Sequence, residues 1–574
     1  MKGKVEEFAW LVLVVSIFGL MSLYVRGPEP RVANDYLSDI SVMRFQQGDL
    51  SSLFVTNRSP VLAFSIPYGA WPPLHTMIQA GWSLLGFKLE YARFMTGMMA
   101  SLSFACLTLF VLKKFVRTDA VMVASATLIS PIVIFFVWHG MTHVLIPCSI
   151  MAGLWLIGHN LEKEKCFWEI NIAIGFILGL TDWFTYGLIP ALFLAIIIAN
   201  CCDLQDNPTY MNLLYKIAFS LALGFSAAFI SYKILEYVFT SSDEIIFFKE
   251  GLTKAKFYNR IFPDMKELTY ATFYTFVRFS IVLIPIMIIN KIVGGYTLRI
   301  AMQEIPTKFR FILLVSLLTP FCFAILFSVQ VSPSNHRMQT LSFFPSAMLL
   351  FGFLVSKTCI SPIRKMVSIS LLTLIATYGI VGYFVVPDTL LTKDSLPDLV
   401  HPLPIGDYDL SIDPPSVSIA KVLKTINNQI MTYPCCSERI VKLNSFNKSW
   451  NNIKLYGELI QKNTRSDEMI VYFGGFTPGF SYYTKRIEIH TSDVKHFIDL
   501  MRRYSQQVNI ALLVPSHSPI DRLYEMNIGR YHLVNVKLID GTPYKLVRFI
   551  PNATNKLNPL SQSLSKPHGS KNIY

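Results

Sequence analysis

The chain has 574 residues, of which 52% are hydrophobic, 13% aromatic and only 15% charged. Soluble domains carry roughly 25% charged residues, so this deficit, with a mean hydropathy of +0.44, excludes an ordinary soluble enzyme and points to lipid. The net charge of +14 is partly placed where it would orient a chain in a membrane. No basic–aromatic module accompanies it, and nucleic acid is excluded as a partner.

Several runs approach the ~20 apolar residues that cross a bilayer as a helix. A span must be helical because hydrocarbon offers nothing to an open backbone hydrogen bond. In chain order, spans are expected near Phe8–Val25, Phe94–Leu112, Ala120–Trp138, Val144–Ile157, Ile170–Leu180 and Phe184–Ala199. Others follow near Leu213–Val238, Phe273–Ile292, Phe311–Val329, Leu341–Val355 and Met366–Val386. Eleven spans put Lys2, Lys4, Lys113, Lys114, Arg117, Lys163, Lys165, Lys308 and Lys357 on one side. The positive-inside rule makes that side the cytoplasm, with the amino terminus inside and the carboxy-terminal part outside. Tyr24-Val25-Arg26 lacks a small-residue cleavage site, so the first segment reads as a retained span.

Directly after that span, Val32-Ala33-Asn34-Asp35-Tyr36-Leu37-Ser38-Asp39 sets two carboxylates at a membrane boundary. Taken alone they suit solvated or helix-capping groups as well as reactive ones. The outer loop that holds them, Arg26 to Arg93, is far too long for a simple connection. Ile40–Leu53 has the periodicity of a helix lying on a membrane surface. Pro72 and Pro73 then force an extended entry to an amphipathic run from Thr76 to Gly86, with Trp71 and Trp82 suited to the headgroup layer.

The third span ends at Trp138-His139-Gly140-Met141-Thr142-His143, and the fifth and sixth meet at a hairpin containing Asp182, all outside. A carboxylate in so apolar a hairpin is a functional-site candidate because charge at membrane depth is costly; its alternative is an interfacial turn residue. Thr240–Tyr270 is an outer loop of mixed charge. Between the ninth and tenth spans, Asn335-His336-Arg337 puts a guanidinium outside, against the topological bias. It suits phosphate and equally suits snorkelling to headgroups. His139 and His143 are four apart, on one face if helical. With His336, His75 or Asp182 they could bind a divalent metal, or they are interfacial histidines bonded to backbone. No cofactor is demanded.

The composition changes near Pro387. Residues 1–386 read as the transmembrane domain, 387–449 as a linker packed near the membrane, 450–550 as a small α/β domain and 551–574 as a polar, disordered tail. Within the α/β domain, helices are expected at Trp450–Gln461, Asp493–Tyr504 and Asp521–Met526. Strands are expected at Glu468–Phe473, Arg486–Ile489, Asn509–Val514, Tyr531–Leu538 and Tyr544–Phe549. The expected fold class is thus an α-helical polytopic membrane protein with a C-terminal extracytoplasmic α/β domain. Cys435 and Cys436 form no metal or redox spacing.

Asn34-Asp35 after the first span, Trp71-Pro72-Pro73-Leu74-His75, Ser130-Pro131 with the run to Thr142-His143, Asn335-His336-Arg337, and the outer strands together cover most of the chain. In this order they resemble the GT-C class of membrane glycosyltransferases, nearest to the protein O-mannosyltransferases and the bacterial aminoarabinose transferases. Two departures stand out. Asn34 replaces the first acid of the family's pair, and Thr142-His143 stands where many relatives have Thr-Asp.

The resemblance implies a hexosyl- or pentosyltransferase with a sugar donor carried on polyprenyl or dolichyl phosphate. It implies a glycan, lipid or protein acceptor and inversion at the anomeric carbon. Asp35 would be the general base, and Arg337 with His336 would bind the donor phosphate. Asp182, His143 or Asp39 would orient the acceptor or support the base. The plasma (inner) membrane is expected, or the ER membrane in a eukaryote. A transporter or flippase of lipid-linked saccharides is the rival reading, and a noncatalytic scaffold the third. Transporters tend to show internal repeats and midplane breaks, whereas the polar residues here gather at one face.

Overall fold

The computed structural model describes residues 2–25, 33–46, 50–54, 72–116, 118–128, 142–201, 208–239, 305–326, 344–353, 454–465, 468–473, 488–491, 509–515, 531–542 and 544–551, with a few isolated positions between. Its helices are α1 (Lys2–Val25), α2 (Ala33–Gln46), α3 (Leu74–Leu84), α4 (Leu89–Phe115), α5 (Ala120–Leu128) and α6 (Ile146–Lys163). They continue with α7 (Trp168–Gly179), α8 (Leu188–Cys201), α9 (Pro208–Phe239) and α10 (Thr307–Leu326), then the short apolar α11 (Phe344–Phe353). Among the described residues, four stretches, Leu89–Phe115, His143–Lys163, Trp183–Cys201 and Thr209–Leu235, are long and apolar enough to cross a membrane. They coincide with the expected second, fourth, sixth and seventh spans. Helices α1, α5, α7, α10 and α11 overlap the first, third, fifth, ninth and tenth, and the eighth and eleventh lie outside the described residues.

The bundle is apolar outside and polar at many of its inner contacts. Phe8, Leu20, Phe110 and Ile230 are more than half exposed, whereas Thr96, Thr108, Asn160, Asn171 and Ser220 are buried. That distribution suits lipid rather than water: helices in a bilayer associate through close packing and polar contacts, since lipid is as apolar as leucine. Asn160 donates to Asn171 Oδ1 at 2.9 Å and Asn171 donates to Ser220 Oγ at 2.9 Å, tying α6, α7 and α9 together. Helices α7 and α9 cross backbone to backbone at Gly175 and Gly224; a Cβ on Gly224 would lie 2.9 Å from Gly175 Cα.

Charged groups that the sequence assigns to one side do meet at one end. Lys113 pairs with Glu7 at 3.6 Å, Lys114 with Glu162 at 2.9 Å, and Lys308 with Glu164 at 2.8 Å. These pairs stitch the ends of α1, α4, α6 and α10 into one layer.

Beyond the bundle, a helix over 454–463 (α12) precedes strands β1 (Glu468–Phe473), β2 (Glu488–Thr491), β3 (Asn509–Pro515), β4 (Tyr531–Leu538) and β5 (Tyr544–Pro551). They form one five-stranded sheet in the order β2-β1-β3-β5-β4. The β1 pairings with β2 and β3 are parallel, with Ile470 opposite Glu488 and Ala511. The β3–β5 and β4–β5 pairings are antiparallel. Buried Glu468 accepts from Arg548 Nε at 2.8 Å and anchors the start of β1 to β5. The expected helices at 493–504 and 521–526 lie outside the described residues.

Candidate functional site

The site is built from the end of the bundle opposite the Glu7, Glu162 and Glu164 pairs. Helix α2 begins at Ala33 and not at Ile40, where periodicity alone would start it, and it ends at Gln46. By its backbone Asp35 therefore lies in the first turn, and Asp39 lies one turn further on.

Asp39 is fully buried, and its carboxylate is met from two neighbouring helices. Arg93 Nη1 on α4 donates to Oδ2 at 2.7 Å, and Gln79 Nε2 on α3 donates to Oδ1 at 2.6 Å. Arg93 is itself fully buried. Gln79 is held in turn by Ser38, whose hydroxyl donates to Oε1 and lies 3.5 Å from His75 Nδ1. Burying both charges is costly unless each is paired and further hydrogen-bonded, and here both carboxylate oxygens are engaged. Helix α3 presents its polar side inward: His75, Thr76, Gln79 and Ser83 are buried, while Met77 and Leu84 face outward.

A second buried pair lies at the top of α6 and α7. His143, on the 3-10 turn Thr142–Leu145, meets Asp182 with Nδ1···Oδ2 at 2.8 Å, and neither side chain is exposed. The other Asp182 oxygen accepts the Phe184 N–H at 3.0 Å, which caps the 3-10 turn Trp183–Gly187. Phe184 then sets its ring edge-on to the imidazole, with centroids 5.7 Å apart. Thr185 Oγ1 donates to the carbonyls of Asp182 and Leu178, closing the hairpin. Trp183, Tyr186, Phe225, Phe229 and Tyr232 form an aromatic cluster between this hairpin and α9.

One backbone bond joins the two clusters. Leu74 N–H, released by the Pro72-Pro73 entry, donates to Leu180 O at 3.0 Å. His75 therefore follows a residue bonded into the same hairpin that carries Asp182.

Of the residues singled out from the sequence, His143 and Asp182 come together as one pair, and Asp39 is engaged in a different one. Asp35 is placed by its backbone on α2; its side chain, and all of His139, His336 and Arg337, lie outside the described residues. Among the described residues, no group of three or more His, Cys, Asp or Glu is placed to hold a metal ion. Arg93, Gln79 and Ser38 were not singled out by sequence reasoning. The available signal was a charged Arg93 at the edge of the expected Phe94–Leu112 span and the i, i+4 polar pair His75/Gln79 on one side of an amphipathic helix.

No protein-family model matches the chain, and no curated protein matches it. Two solved structures resemble it along nearly their whole length. ArnT from Cupriavidus metallidurans bound to undecaprenyl phosphate is 12% identical with a TM-score of 0.55, covering 94% of this chain and 98% of that one. The same protein in the apo state is 14% identical with a TM-score of 0.56 at the same coverage. At that identity the likeness is one of fold, and the chain has a fold similar to that of ArnT.

Proposed function

We propose that the chain is an integral-membrane glycosyltransferase that moves a sugar from a polyprenyl- or dolichyl-phosphate donor to an acceptor on the extracytoplasmic face. The observation that carries this reading is the likeness over 94% of the chain to a structure holding undecaprenyl phosphate. The placement of Asp35 in the first turn of α2, at the end of the bundle where two buried polar pairs are built, agrees with it.

In the proposed reaction an acceptor hydroxyl oxygen attacks the anomeric carbon from the side opposite the phosphate. The bond from that carbon to the phosphate oxygen breaks, and its electron pair leaves with the lipid phosphate, so the configuration inverts. Asp35 takes the hydroxyl proton as general base. Negative charge grows on the departing phosphate and calls for fixed cations or N–H donors, the role proposed for Arg337 with His336. His143 and Asp182 act as one unit that holds the hairpin beside the acceptor. The sugar is a hexose or pentose, and mannose has no special claim over aminoarabinose.

The test is sugar release from a panel of radiolabelled polyprenyl-phosphate monosaccharides by purified protein in nanodiscs, with Asp35→Asn beside wild type. Turnover by wild type and a loss of about 10²-fold or more in the variant are expected for a removed general base. Equal turnover by both would displace Asp35 from that role. No turnover with any donor, in the presence of a membrane acceptor extract, would overturn the transferase.

A further inference from the structure

The turn of α2 that follows Asp35 is held from two directions. Asp39 reaches into the bundle, where Arg93 of α4 and Gln79 of α3 donate to its two oxygens at 2.7 and 2.6 Å. Ile40, the next residue and so about 100° further round the helix, is buried in a different place. It belongs to the apolar core of the carboxy-terminal sheet, with Ile460 of α12, Ile470 of β1, Leu513 of β3 and Leu546 of β5. Leu89, at the start of α4, packs against the same core. One residue further on, Ser41 O accepts from Ser52 Oγ at 2.9 Å.

A helix that merely lies on a membrane surface needs none of this. A buried ion pair contributes little net stability once desolvation is counted, but it fixes geometry, because breaking it strands a charge. The apolar seat of Ile40 adds a second, independent constraint. Together they remove both rotation and sliding of α2, and a one-residue slide would move Asp35 by about 1.5 Å.

We propose that Asp39, Arg93 and Ile40 are positioning residues for the Asp35 turn: Asp39 and Arg93 fix α2 to the bundle, and Ile40 fixes the same turn to the carboxy-terminal α/β unit. That unit is thereby a working part of the transfer site and not an appended lid. The catalytic side of this inference rests on the glycosyltransferase reading above; its mechanical side does not. Misplacing a reacting group by about 1 Å costs on the order of 10²-fold in rate, so the loss falls on kcat more than on donor binding.

The experiment uses the full chain in nanodiscs with Asp39→Asn, Ile40→Ala and the milder Ile40→Val. Amide hydrogen exchange is followed in α2, with α8 and α9 as internal references, and transfer kinetics are measured with whichever donor wild type turns over. Exchange across 33–46 should rise about tenfold or more in Asp39→Asn and Ile40→Ala, with α8 and α9 unchanged. In the same variants kcat should fall by about 10- to 100-fold while donor KM stays within about threefold. Ile40→Val should fall between wild type and Ile40→Ala on both measures. Unchanged exchange in α2 would overturn the proposal. So would loosening that spreads equally through α8 and α9, which marks a general folding role, or a loosened α2 with wild-type kcat. If wild type transfers no sugar from any donor, the functional reading falls; loosening confined to α2 would still support the two-sided hold, and its absence would overturn that as well.

Discussion

Arg93 and Asp39 meet at 2.7 Å with neither side chain reaching solvent. They are 54 positions apart, and their bond joins α2 to α4.

Removing one partner of such a pair leaves the other buried and uncompensated, at a cost of about 3–5 kcal/mol. Arg93→Met should therefore destabilise strongly, whereas Asp39→Leu combined with Arg93→Met should recover much of that loss. Unfolding in detergent, followed by denaturant titration, gives the two values. Additive losses would mean that the pair is not a unit.

The His143–Asp182 pair should behave as a coupled unit too. Residues in direct contact show interaction energies of about 0.5–3 kcal/mol in a double-mutant cycle. His143→Ala and Asp182→Ala should each destabilise the hairpin, and the double variant should cost less than their sum. The same unfolding assay reads it, and a coupling near zero would refute a 2.8 Å bond between buried groups.

Gly224 is a test of the helix crossing. Any Cβ there meets Ile172 O, Phe176 N at 2.8 Å and Gly175 Cα at 2.9 Å, all of them backbone and unable to swing aside. Gly224→Val should separate α7 from α9 and lower stability by about 1–3 kcal/mol, as for other overpacked contacts. By contrast, Gly19, which has nothing within 4 Å of an added Cβ, should accept alanine without loss. Thermal unfolding of the two variants side by side decides the point.

One pH effect follows from the charged layer. Lys308 donates to Glu164 at 2.8 Å, and this hydrogen bond, reinforced by the charge of the ammonium, holds the Glu164 carboxyl below the usual carboxylate range. A carboxyl whose folded pKa is depressed stabilises the fold above its unfolded value of about 4.3. That contribution is lost as pH falls through the lower, folded value. Glu164 is exposed, so solvent keeps the effect small. Lys308→Met should flatten the acid side of the stability–pH curve between about pH 5 and 3, read as unfolding midpoints, with no change near neutrality beyond the loss of one weak pair.

The sequence is most legible where one local pattern decides the outcome. Strands β1 and β4 fall on the expected Glu468–Phe473 and Tyr531–Leu538 because short runs rich in β-branched and aromatic residues mark them. Helix α2 was half visible: Asn34, Asp35, Ser38 and Asp39 are weak helix formers, and the first turns are helical because Asp39 and Ile40 are held by tertiary partners. Asp182 and His143 each draw notice as polar groups in apolar surroundings, yet nothing local announces that they meet across 39 positions. Arg93 is harder still, since at the edge of a span it looks like any interfacial arginine until Asp39 is brought to it by the fold.

The brevity of α7 has a geometric consequence. Its 12 residues rise only about 18 Å, whereas the hydrocarbon layer is about 30 Å thick. It sets out beside Lys163 and Lys165, at the charged layer that marks one face of the slab. A helix of that rise stops short of the slab, so the turn carrying Thr181 and Asp182 is set nearer to the charged layer than a full span would set it. Asp182 and His143 are closed over at that level, with neither side chain reaching the surface.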